Sequence, residues 1–128
     1  MKRMIVAFML STAPAYSQTN LETGLVVERA PLMCQAIGRE AFEVTDELAR
    51  DLIGRRLNQQ YADTSHREGN EQQAEAYLQD HDRADAEATE HFAELSTLFS
   101  LAVNMGCDME SITDRSEEAY RSRLPLLQ

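Results

Sequence analysis

NEQQAEAYLQDHDRADAEATEHFAELSTLFSLAVNMG, residues 70–106, decides the fold. Its apolar and small residues Ala74, Leu78, Ala88, Phe92, Leu95, Phe99 and Ala102 recur at steps that hold one face of an α-helix inward. Neither Pro nor Gly interrupts the run between Asn70 and Asn104. At roughly 1.5 Å per residue such a helix is about 50 Å long, a strut for shorter helices to pack on. Gly106 then stands where glycine is favoured just past a helix C-terminus.

Upstream, Cys34, Ile37, Ala41, Phe42, Leu48, Leu52, Ile53, Leu57 and Tyr61 keep a period near 3.6, behind a Pro31 suited to a first helical position. Gly38 or Gly54 is expected to kink or split this helix. It should fray through residues 63–65 into a polar corner at Gly69-Asn70, which makes it the antiparallel neighbour of the long helix. A short first helix carrying Leu21, Leu25 and Val26 is expected over residues 18–29, with Thr19 or Asn20 as its cap. Past Cys107, Asp108 or Thr113 opens a last short helix, over residues 114–123, which Leu124-Pro125 stops. No stretch alternates apolar and polar residues over strand length. The chain therefore reads as all-α: a small helical bundle built on a long antiparallel hairpin.

The N-terminus reads as a signal peptide, residues 1–17. Lys2 and Arg3 precede the apolar run from Met4 to Leu10, and the small residues Ala13, Ala15 and Ser17 allow cleavage after Ala15 or, preferably, after Ser17. The run is too short for a bilayer, which needs about 20 residues. What remains, 18–128, suits one domain, with no membrane insertion once the signal is cleaved. Its ten arginines, and no lysine, face 22 acids, a formal charge of −12 against −10 for the whole chain. So acidic a surface excludes nucleic acid and anionic lipid as partners and suits a protein with a basic surface. A homodimer is also compatible with the pattern. In a periplasmic or secreted compartment Cys34 and Cys107, the only cysteines, are expected to form one intramolecular disulfide. Free thiols, an intermolecular bridge or a shared metal site are the alternatives. Met33, Met105 and Met109 flank the pair as packing.

Acids crowd residues 63–94, which also hold His66, His81 and His91. A solvated helix face accounts for most of them, and Asp80, Asp82, Asp85 and Glu87 are the candidate partner-binding set. The inward stripe passes through His81 and Asp85, i,i+4 neighbours that would pair with each other or share a metal ion, with Asp63, His66 or Asp82 as further ligands. Stepping 3.6 residues per turn, His91 points away from His81. No zinc-protease, di-iron, calcium-loop or haem spacing is present, and no cofactor signature appears. Nucleophile elbows and glycine-rich phosphate loops are missing too, and an exposed helix face provides no cleft to tune paired acids. Arg50, Arg55 and Arg56 are expected to pair with neighbouring acids. Together these features point to a non-enzymatic protein that binds another protein, of inhibitor, immunity or chaperone type. The rival is a metal-binding or metal-sensing periplasmic helical protein that uses His81 and Asp85.

Overall fold

The computed structural model describes residues 18–19 and 26–127; the expected signal segment, Leu21 and Leu25 of the expected first helix, and Gln128 lie outside them. Three helices follow in order: α1 (Pro31–Arg67), α2 (Glu71–Asn104) and α3 (Met109–Leu127). The short N-terminal helix is not formed at its described positions. Gln18–Thr19 (β1) instead pairs antiparallel with Val26–Val27 (β2), in register Gln18 with Val27 and Thr19 with Val26. The β-branched Val26-Val27 and Thr19 favour extended backbone, and Pro31 biases Ala30 away from the helical region (φ −131°, ψ 67°).

α1 runs unbroken through Gly38 and Gly54 for 37 residues. At Gly38 α3 packs against α1, and a Cβ there would meet the Arg115 side chain at 3.5 Å and Ile112 at 3.7 Å, ordinary contact distances. The hairpin corner is built as its sequence suggests. Gly69 takes φ +78°, its N–H donates to His66 O, and Asn70 N–H donates to Ser65 O at 2.8 Å. The Asn70 side chain then accepts from Gln73 N–H and caps α2. The same C-terminal motif closes α2, where Gly106 has φ +72° and Cys107 N–H donates to Ala102 O at 2.9 Å.

The hairpin seam follows a step of seven. On α2 it runs through Ala74, His81, Ala88, Leu95 and Ala102 and through Tyr77, Ala84, His91 and Leu98, reaching the C-cap Met105, every one buried or half-buried. On α1 it runs through Cys34, Ala41, Leu48, Arg55 and Ala62 and through Ile37, Val44, Asp51, Asn58 and Ser65, with the same result. A strict seven-residue repeat drifts about 20° per heptad against a straight helix, so the inward direction rotates as the two helices coil. That drift corrects the inward stripe read from a 3.6 period. Leu78 and Phe92 sit one position past the seam, 37% and 63% exposed.

Hydrocarbon is concentrated at the base. Cys34, Ile37, Ala41 and Val44 of α1 meet Leu98, Leu101 and Ala102 of α2, Met105 and Cys107 just past its end, and Ile112 of α3. The Cys34–Cys107 disulfide, Cα atoms 5.5 Å apart, lies inside this cluster, and Met33 and Met109 pack against it. α3 begins at Met109, directly after Asp108 and five residues before the expected start at 114, and it continues past Pro125. Proline's fixed φ is helical, and in the last turn the lost N–H removes only one bond. No helix among the described residues is long and apolar enough to cross a membrane.

Candidate functional site

α3 packs along α1 and barely touches α2, so the bundle is open on one side. Between α2 and α3 lies a groove of about 390 Å³. Thr45 and Leu48 form its floor, Leu95 and Phe99 one wall, and Thr113, Ser116 and Tyr120 the other, with Glu117 and Arg121 also lining it. That size is within the range of small-ligand and peptide-anchor sites. The lining is almost entirely hydrocarbon. Thr45 Oγ1 is committed to Ala41 O at 2.7 Å, and Arg121 donates to Glu117 at 2.7 Å. The Ser116 hydroxyl is buried without a hydrogen-bond partner among the described residues.

The groove continues onto a flank of α2. Leu78, Asp85, Phe92 and Phe99 recur at steps of seven, one residue past the seam, and Val103 falls beside this line. Phe92 and Val103 are 63% and 59% exposed, and Asp82 and Asp85 project alongside. The four candidate partner-binding acids do not share one face of α2. Asp80 and Glu87, seven apart, fall on one side of the seam; Asp82 and Asp85 fall on the other. Asp80 pairs with Arg83 at 3.2 Å, and Asp85 with Arg55 across the hairpin at 2.8 Å. Asp82 is widely exposed and takes the His81 ring at 3.1 Å.

His81 and Asp85 therefore do not pair with each other, because each has a different neighbour within reach. They also belong to no trio of potential ligands. Among the described residues one such trio is present, Glu28 with Cys34 and Cys107. Arg55 makes an inter-helix ion pair as expected, while Arg50 pairs within α1 to Asp46 at 3.0 Å.

The seam's middle is polar, which the sequence reading missed. His91 does not turn away from the seam used by His81: ten residues is one heptad plus three, so both rings line it. The His91 Nδ1 bonds to Asp51, and Nε2 meets Glu47 at 2.8 Å. Burial pulls the His91 pKa down. The Asp51 hydrogen bond and the charges of Asp51, Glu47 and Glu94 together outweigh that and raise it above 6.5. Asp46 is held below the usual carboxylate range by its hydrogen bond from Arg123 at 2.6 Å, against the effect of burial. Both perturbed groups tie helices together and stand outside the groove lining. No protein-family model, curated protein or solved structure matches the chain.

Proposed function

We propose that this is an exported, non-enzymatic protein, periplasmic or secreted, that binds another protein along the α2 flank and the α2–α3 groove. The partner supplies a basic amphipathic segment. Its apolar side meets Phe92, Leu95 and Phe99, and its cations meet Asp82 and Asp85. An inhibitor, an immunity protein or a chaperone works in this way.

The observation that carries the reading is Phe92, a large aromatic 63% exposed on a helix whose seam has room for smaller residues. Aromatic anchors beside a hydrocarbon groove are the usual centres of binding energy, and surrounding acids select for a basic partner. The formal charge of −10 favours such a partner over an acidic one. Support for a non-catalytic role comes from the groove lining, where Glu117 and Arg121 are engaged with each other. The buried disulfide supports export to an oxidising compartment.

The test is capture from an envelope extract on the oxidised, immobilised protein, quantified by mass spectrometry. A basic protein should be retained at an ionic strength of about 0.01 M and released at about 1 M. The same protein should be lost with Phe92→Asp and with Asp82→Lys/Asp85→Lys. A ligand held equally by these variants, or indifferent to salt, overturns the reading.

A further inference from the structure

We propose that Cys34 and Cys107, once reduced, join Glu28 to form a three-ligand site for a zinc ion at the base of the bundle. The inference is independent of the docking reading, since these residues lie at the disulfide end and away from Phe92.

Three features converge on it. A carboxylate oxygen of Glu28 lies within 4.8 Å of both sulfurs of the Cys34–Cys107 bridge, and no other three potential ligand groups among the described residues come as close together. That is notable in a chain with 22 acids, most of them scattered over exposed helix faces. Second, Glu28 is held in place. The β1–β2 ladder fixes the backbone just before it, and its Oε2 accepts from Asp108 N–H at 2.7 Å. A carboxylate ligand steadied by an outer hydrogen bond is the usual arrangement in zinc sites. Third, the bridge is reachable from the Cys34 side although both cysteines are buried. A cleft of about 100 Å³ opens at Cys34, lined also by Glu28, Gln35, Asp108, Ser111 and Arg115.

The chemistry balances. A dithiol reductant donates two electrons and two protons to the bridge and leaves as its own disulfide; the protein gains two thiols. Zinc then displaces both thiol protons and binds two thiolates and the Glu28 carboxylate, with water from the cleft as fourth ligand. Thiolate and carboxylate are both ligand types that zinc takes, and three protein ligands with water in the fourth position is an established tetrahedral arrangement. Around one zinc the sulfurs stand about 3.7 Å apart. Rotation about the Cys side-chain bonds supplies that separation from Cα atoms 5.5 Å apart. The oxidised bridge offers no thiolate, so the site exists only after reduction. The base of the bundle is then closed by a covalent bond under oxidising conditions and by a metal under reducing ones.

The experiment titrates zinc into oxidised and phosphine-reduced full-length protein against a chromophoric chelator, with cobalt as the spectroscopic probe and circular dichroism on every sample. Reduced protein is expected to bind one zinc at least a hundredfold more tightly than oxidised protein. With cobalt it should show thiolate charge-transfer absorption in the near ultraviolet. Glu28→Gln removes a direct ligand and should weaken zinc by at least the roughly 10- to 100-fold that loss of an outer partner costs. Cys34→Ser/Cys107→Ser, which lacks bridge and thiolates alike, should bind no better than oxidised wild type. Equal affinity in both redox states overturns the proposal. So does zinc binding that survives the double serine variant. If the reduced chain has lost helicity, zinc must restore it in wild type and fail to do so with Glu28→Gln; restoration in both removes Glu28 from the site.

Discussion

His91 of α2 is hydrogen-bonded through Nδ1 to Asp51 of α1, at the level where the hairpin seam changes from hydrocarbon to polar side chains. Below it Val44 and Leu98 are fully buried; above it Arg55, Asn58 and His81 take seam positions. A polar pair inside a coiled coil contributes less than hydrocarbon would, but it penalises shifted registers that leave it unpaired. Asp51–His91 is the natural register pin of this hairpin.

From that contact follows a pH dependence. The folded pKa of His91 is raised above the 6.5 of the free side chain, so the folded state holds its proton longer than the unfolded state does. The resulting stability is fully present below pH 6.5 and is lost as pH rises through the folded value. Urea unfolding of wild type should therefore show a midpoint that falls from about pH 6 towards pH 8. His91→Gln should flatten the profile over that window. A wild-type midpoint that climbs there would contradict the assignment.

Asp46 predicts the opposite slope at acid pH. Its carboxyl is lowered by the Arg123 hydrogen bond and by the charges of Arg123 and Arg50, so its stabilising share is present above the unfolded value of 3.8. That share disappears as pH falls through the lower folded value. Arg123→Gln should narrow the difference between the two values and make acid unfolding begin at higher pH. Because Asp46–Arg123 clamps the far end of α3 to α1, amide exchange in the last turns of α3 should also quicken in the variant. Exchange confined to the hairpin corner would point to a different role.

Leu98 and Phe92 separate the two readings of the seam. Leu98 is fully buried, and Leu98→Ala should cost about 2–5 kcal/mol through lost burial and the cavity left behind. Phe92→Ala, at a position 63% exposed, should change stability by no more than about 0.5 kcal/mol. The 3.6-period stripe places Phe92 inward and predicts a large loss there instead. Chemical denaturation of the two variants decides between them.

Gly69 is a backbone test free of packing. Its φ is +78° and nothing stands within 4 Å of where a Cβ would sit. Gly69→Ala should therefore cost roughly 1–2 kcal/mol from the left-handed conformation alone. Gly69→Asn should cost less, since Asn tolerates that region best among the larger residues. Equal losses from both would mean that the corner is held by something other than its dihedral preference.

Much of this architecture was legible because its signals are local. Gly69-Asn70 and Gly106 ended helices where expected, and two cysteines at the same end of an antiparallel pair found each other. What failed was whatever depends on two helices coiling together. A single helix counted at 3.6 residues per turn puts Leu78 and Phe92 inside and sends His91 away. Only a seven-residue step, visible in Ala74, His81, Ala88, Leu95 and Ala102, puts His91 on the seam. The expected first helix failed at its described positions for a different reason, since spacing of Leu21, Leu25 and Val26 outweighed the extended preference of Val26-Val27. The groove was half visible: Leu95 and Phe99 were marked as inward, but nothing in the sequence says that α3 leaves them uncovered.

The last prediction concerns the bridge. Cys34 and Cys107 are 73 residues apart in sequence, and opening the bridge returns that loop's closure entropy to the unfolded chain. Loop-closure arithmetic puts the loss at about 4 kcal/mol. Against a total of about 5–15 kcal/mol for a domain, this is a large fraction. For a chain of this length it corresponds to a fall in Tm of roughly 15–30 °C. The loss should be uneven. The hairpin corner keeps its own capping bonds, whereas α3 depends on its packing on α1, the Asp46–Arg123 contact and the Glu28–Asp108 hydrogen bond just before its start. Thermal unfolding with and without a phosphine reductant, in chelator to keep zinc out, measures the first effect, and amide exchange the second. α3 should open first. A shift of only a few degrees, or loss beginning at the corner, would show that the core at the base holds without its covalent tie.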